Sequence, residues 1–205
     1  MLSFQTITPN TLELLKKLAA MPELTNMRLV GGTALALQYG HRQSIDLDFF
    51  SACTISIDQI ENVCKKQGEC TIFNRTEHIV QLTIDQIKVD FVDYTGYQWI
   101  DEPIVASGIT LASDKDIAAM KINAIINRGT KKDFIDLCVL LKHYSLAQIL
   151  DFYHKKYPNF SDYRALMSLT YFEDAETQSM PKMFIPNTWE EMKDAIIENV
   201  KSYQA

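Results

Sequence analysis

RLVGGTALALQYGHRQSIDLDFF, residues 28–50, is the stretch that sets the architecture of the chain. A short apolar strand over residues 27–30 runs into Gly31-Gly32, and residues 33–39 follow as a short helix closed by Gly40. Residues 44–50 then alternate, with Ile45, Leu47 and Phe49 on one face and Asp46 and Asp48 on the other. A period of two is the mark of a half-buried strand. The order strand, glycine pair, helix and acidic strand predicts a sheet with a helix packed on it.

Upstream, Thr8 caps a helix that starts at Pro9 and repeats Leu12, Leu15, Leu18 and Ala19 at helical spacing until Pro22 interrupts it. Downstream, residues 56–67 carry helical periodicity through Ile57, Ile60 and Cys64 and stop at Gly68. Residues 69–74, 78–84 and 87–94 are rich in strand formers, with a tight turn at Asp85-Gln86. Residues 95–108 contain Gly96, Pro103 and Gly108 without periodicity and read as a connection. Ser113 and Asp116 make a capping box for a helix that ends near Arg128 and Gly129. Residues 131–143, 145–156 and 161–171 read as three further helices. Residues 173–187, with Pro181 and Pro186, read as an irregular tether, and Thr188 with Glu191 caps a last helix from Trp189. The expectation is an α+β fold: a mixed sheet flanked by helices over residues 1–108, then a helical subdomain over residues 109–205.

With 205 residues, 47% of them hydrophobic and 22% charged, the chain has the composition of an ordinary folded protein with one substantial core. A net charge of -6 excludes a surface coated in positive charge, so any nucleic-acid contact must be local. Cys53, Cys64, Cys70 and Cys138 lack CxxC spacing, which indicates neither a zinc site nor a disulfide scaffold. No apolar run approaches the roughly 20 residues of a membrane span, and the N-terminal residues lack a signal pattern. A cytoplasmic protein is expected.

Three features carry chemistry. Gly31-Gly32 stands at a strand end before a helix, where bare backbone amides can approach phosphate oxygens and Thr33 can add a hydroxyl; the pair would also serve as a plain turn. Asp46 and Asp48 share one strand face, so their carboxylates can share hard divalent cations; a solvated strand face is the alternative. Asp90 shares its strand face with Lys88 and Val92, and if its strand neighbours the one bearing Asp48 it completes a carboxylate triad beside an acceptor hydroxyl. Asp93 ranks below Asp90. Phe49, Phe50 and Phe91 are assigned to the core.

The glycine pair followed by Asp-x-Asp resembles the signature of the polymerase-β-like nucleotidyltransferase superfamily. Within it the chain is most similar to the AbiEii/AbiGii toxin family, in GGTAL at residues 31–35, in Arg42, Ser44, Asp46 and Asp48, and in KINAIINRGTKKDFIDLCVLL at residues 121–141. The resemblance implies that Asp46, Asp48 and Asp90 are catalytic and bind magnesium, two ions in all, and that Lys121 contacts the nucleotide. Lys121 and Arg128, seven apart, share a helix face and could clamp phosphates together; a solvent-exposed basic stripe is the alternative. Gly31, Gly32, Thr33, Arg42, Lys132, Asp133 and Asp136 complete the expected nucleotide site, with structural service an equal alternative for Asp133 and Asp136. His41 reads as a loop residue.

The implied reaction moves a nucleoside monophosphate from a nucleoside triphosphate to an acceptor hydroxyl. The resemblance makes the acceptor an RNA such as a tRNA 3′ end, and the setting a type IV toxin with a cognate antitoxin in phage defence. A small-molecule acceptor, as in antibiotic nucleotidyltransferases, and a non-catalytic nucleotide-binding module are the competing readings. The segment after about residue 172 has no counterpart in the resemblance.

Overall fold

The computed structural model describes residues 1–51, 53–158 and 161–204. Its strands are β1 (Met27–Leu29), β2 (Leu47–Ser51), β3 (Cys70–Arg75), β4 (Ile79–Ile84), β5 (Ile87–Asp93), β6 (Ile104–Ala106) and β7 (Ile109–Leu111). Its α-helices are α1 (Pro9–Ala19), α2 (Gly31–Tyr39), α3 (Ile57–Cys64), α4 (Asp114–Asn127), α5 (Lys131–Leu140), α6 (Leu146–Lys156), α7 (Asp162–Leu169), α8 (Glu173–Glu176) and α9 (Trp189–Gln204).

Among the described residues the strands form one mixed sheet in the order β3-β4-β5-β2-β1-β7-β6. β2 runs antiparallel to β1 and parallel to β5, which puts the acidic strand at the centre of the sheet. Leu47 and Phe49 point into the core beside Val89 and Phe91, with the Phe49 and Phe91 rings stacked at 5.4 Å. Burying large apolar side chains on both central strands fixes their register, because a one-residue slip would turn the carboxylates inward.

Local chemistry starts the helices where the sequence predicts. Thr8, Ser113 and Ser145 each accept a backbone N–H three residues on, and Gly40 closes α2 in the left-handed region. α4 is buried along Ile117, Ala118, Ala119, Ile122 and Ile125 and packs against α5, α6 and α7, so the helical half is assembled around it. No helix among the described residues is long and apolar enough to cross a membrane.

Three expectations are corrected. β2 begins at Leu47, and Ile45 is exposed rather than buried with Leu47, because the Thr33 hydroxyl donates to the Asp46 carbonyl and pairs with the Ser44 hydroxyl, which ties that stretch to α2. Residues 95–108 are not all connection: β6 and β7 form a hairpin turned at Ser107 (φ 53°) and Gly108 (φ 77°), and β7 extends the sheet in parallel beside β1. Strands of three residues are too short to show a period. The tether over residues 173–187 contains α8 and is fastened, since Arg42 and Met183 form an antiparallel bridge flanked by Gln43 N–H to the Lys182 carbonyl (2.8 Å) and Phe184 N–H to the His41 carbonyl (2.9 Å).

Candidate active site

The parallel pairing of β2 with β5 sets Asp48 directly opposite Asp90. Strand neighbours lie about 4.8 Å apart, so the two carboxylates are side by side on the sheet face away from Phe49 and Phe91. Gly31 makes room for one of them: a Cβ there would fall 2.6 Å from Asp48 Oδ2, and its φ of +67° is in the left-handed region. Glycine at 31 thus answers both to backbone conformation and to the approach of a carboxylate.

Asp90 is buried, its Oδ2 accepting from Gln81 Nε2 at 2.6 Å and facing Lys88 Nζ at 3.1 Å. Its Oδ1 is buried without a partner. Burial, then the charges of Asp90 and Asp46, push the Asp48 carboxyl up to about 6, against the pull of Lys88 and Lys121. Asp46 lies half-buried just before the strand. Among the described residues no three His, Cys, Asp or Glu side chains are gathered into a ready metal cage. The Asp48–Asp90 pair nevertheless suits a divalent cation, which would satisfy the orphaned Oδ1 and remove the repulsion that disfavours an ionised Asp48.

Opposite the pair, Lys121 of α4 and Arg128 at the C-cap of that helix line a cleft of about 340 Å³ that also includes Gly31, Asp48 and Asp90. Lys121 is buried, with Nζ 2.9 Å from Asp133 Oδ1 and 2.6 Å from Asp136 Oδ2. Arg128 forks onto Asp133 at 3.0 and 3.1 Å while 64% of its side chain stays exposed. Arg42 holds both oxygens of Asp136, at 2.7 and 2.8 Å, and His41 Nε2 lies 2.8 Å from Oδ1. Burial opposes ionisation of both acids. Lys121 and Arg128 still hold Asp133 down to about 2, and Arg42, Lys121 and His41 hold Asp136 well below the usual range.

Of the residues expected at the nucleotide, Gly31, Lys121 and Arg128 line the cleft with Asp48 and Asp90. Gly32, Thr33, Arg42 and Asp136 lie behind it. A Cβ at Gly32 would sit 2.3 Å from Arg42 Nη2, so that glycine admits a buried guanidinium. Asp133 is fully buried beneath Arg128, and Lys132 is exposed on α5. His41, read as a loop residue, is 1% exposed and part of the Asp136 cluster.

Sequence reasoning missed Phe50, Val92, Met120, Asn123, Asn127 and Tyr157, all lining the cleft. Phe50 is half-buried there rather than in the core. The period of two already held this signal, since Phe50 follows Asp48 and Val92 follows Asp90 on the same strand faces. The cleft therefore has an acidic end, a cationic wall and an apolar end.

The fold is shared with JHP933 of Helicobacter pylori (TM-score 0.59, 19% identity, 96% of this chain and 92% of that one). It is shared also with MenT4, a nucleotidyltransferase toxin of Mycobacterium tuberculosis H37Rv (TM-score 0.61, 12% identity, 93% and 81%). Residues 13–103 match the family model described as nucleotidyl transferase AbiEii toxin, type IV TA system. Paired central carboxylates facing a cationic helix on this fold, with that match, define a nucleotidyltransferase, an enzyme that consumes a nucleoside triphosphate. A protein of Aquifex aeolicus (strain VF5), uncharacterized and designated aq_aa25, is 36% identical over 197 residues, 93% of this chain and 94% of its own. Over residues 13–103 the chain belongs to the AbiEii nucleotidyltransferase toxin family.

Proposed function

We propose that the chain transfers a nucleoside monophosphate to the 3′ end of an RNA, with tRNA the first candidate, as the magnesium-dependent toxin of a type IV toxin–antitoxin pair acting in the cytoplasm in phage defence. The observation that carries the chemistry is the in-register Asp48–Asp90 pair facing Lys121 and Arg128 across one cleft. Asp48 and Asp90, joined by Asp46, would hold two magnesium ions, which when bound neutralise triphosphate charge and polarise the reacting oxygens.

The chain's own residues supply the rest. Arg42, Lys121 and Arg128 converge on only two carboxylates, Asp133 and Asp136, which leaves one positive charge in surplus at the cleft wall. That surplus, carried by the exposed side of Arg128, attracts the β- and γ-phosphates. The N-terminus of α2 at Gly31 has no side-chain cap and adds amide donors on the other side. The Asp90 carboxylate takes the proton of the acceptor hydroxyl as the hydroxyl oxygen bonds to the α-phosphorus, and the bond from the α-phosphorus to the bridging oxygen breaks to release pyrophosphate. In this reading residues 1–108 hold Asp46, Asp48 and Asp90, and residues 109–205 bring Lys121 and Arg128. MenT4, described as a nucleotidyltransferase toxin, shares the fold and supports the toxin setting.

The test incubates the protein with magnesium, total tRNA and each of the four radiolabelled nucleoside triphosphates. Label enters RNA with at least one, and Asp48→Ala removes both the label and any growth arrest on expression. Folded protein that labels no RNA with any nucleotide overturns the RNA reading, and growth arrest that survives Asp48→Ala overturns the toxin chemistry.

A further inference from the structure

A second cavity, of about 400 Å³, opens beside the cleft. Asn127 and Arg128 line both spaces and form a wall common to them. Nucleotidyl transfer as described above makes no use of this cavity, yet it is large enough for one small ligand, in the range of about 300–1,000 Å³ usual for such sites.

Its lining differs from that of the cleft. Tyr171 is 52% exposed, and its hydroxyl donates to Glu173 Oε2 at 3.0 Å, which anchors the ring. Met167, 56% exposed, adds a polarisable thioether, and Ile125 and Ile126 add apolar surface from the end of α4. A tethered aromatic ring flanked by apolar groups suits the face of a nucleobase. Ser168 and Asp174 contribute hydroxyl and carboxylate oxygens of the kind that bind ribose hydroxyls. Among the described lining residues Arg128 is the one cation and Asp174 the one anion, a balance suited to a nucleoside and not to a polyphosphate.

We infer that this cavity is a nucleoside subsite, which holds the base and ribose of one nucleotide while its phosphate lies at Arg128. The inference rests on the nucleotidyl-transfer reading, because the shared wall of Asn127 and Arg128 is what connects the cavity to the Asp48–Asp90 pair. Two sources provide a nucleoside: the donor triphosphate, and the terminal nucleotide of an RNA acceptor.

Two photoreactive probes separate them, a nucleoside triphosphate with a photoreactive base and an RNA oligonucleotide whose 3′-terminal base is photoreactive. Each is irradiated with the wild-type protein and magnesium, and the crosslinked peptides are sequenced by mass spectrometry. The expected result is saturable crosslinking within residues 167–174 by one probe, which identifies the source. In steady-state kinetics Tyr171→Ala raises the KM of that substrate about ten-fold with kcat nearly unchanged, the size of one lost base–aromatic stack, and Tyr171→Phe restores it. Crosslinks confined to the catalytic cleft, no saturable crosslink at all, or a folded Tyr171→Ala enzyme with both KM values unchanged would each overturn the subsite. If the wild-type protein transfers no nucleotide, the transfer reading fails, while the crosslinks still decide the subsite because they require binding and not turnover.

Discussion

Two pairs of carboxylates, Asp133 and Asp136 buried behind the cationic wall of the cleft and Asp48 and Asp90 in the cleft itself, stand in opposite electrostatic condition. Asp133 and Asp136 are saturated with cations, fully buried and held low, Asp133 at about 2. Asp48 and Asp90 are undersupplied: Asp48 is pushed to about 6, and Asp90 keeps a buried oxygen with no partner. The first pair organises charge that is already present. The second is destabilised in a way that a divalent cation and its nucleotide would relieve, which is how a site stores binding energy for its ligand. Acidic residues alone do not make a catalytic centre; the imbalance around them does.

The comparison breaks most visibly at Asp136. Asp136→Ala leaves Arg42 and Lys121 buried without their shared counter-charge, a loss of about 3–5 kcal/mol. Calorimetry is expected to show a melting temperature lower by about 10 °C, at about 2–4 °C per kcal/mol for a chain of this size. Asp48→Asn has the opposite sign. A carboxyl whose pKa rises from 3.8 unfolded to about 6 folded contributes stability in full below pH 4 and loses it as pH climbs through 6. Removing the charge therefore stabilises the protein by about 3 kcal/mol at pH 8 and not at pH 4, while transfer activity falls roughly 1,000-fold. An equal melting-temperature gain at both pH values would show that Asp48 is not strained. Magnesium with nucleotide is expected to raise the melting temperature of the wild type and close the gap.

The smallest effect on stability is expected at Arg128, which is largely exposed. Arg128→Lys changes stability by less than about 1 kcal/mol. It loses the fork on Asp133 and the planar face toward the cleft, so the KM for nucleotide rises by roughly ten-fold while the melting curve barely moves.

Much of the site is legible in the sequence because it obeys periodicity. A spacing of two puts Leu47 and Phe49 on the core face and Asp48 on the other, and Lys121 on α4 and Arg128 at its C-cap, seven residues on, converge on Asp133. What periodicity cannot show is which strands are neighbours, so the pairing of Asp48 with Asp90 needed the sheet itself. Arg42 reads in the sequence as a partner for a carboxylate or a phosphate; the carboxylate it meets, Asp136, comes from a distant helix and leaves no local mark, and Gly32 makes room for the guanidinium. The β6–β7 hairpin escaped because its strands are too short to alternate, and Phe50 escaped because an aromatic residue beside Phe49 looks like core until the faces are separated.

The bridge between Arg42 and Met183 has a consequence for how the molecule is made. Synthesis is vectorial, and the early strands and α2 emerge long before residues 182–184. Until that segment arrives, the loop bearing His41 and Arg42 lacks these backbone partners. A chain without residues 182–184 would keep Asp46, Asp48 and Asp90 yet leave the Arg42 loop without the backbone partners that hold it beside Asp136.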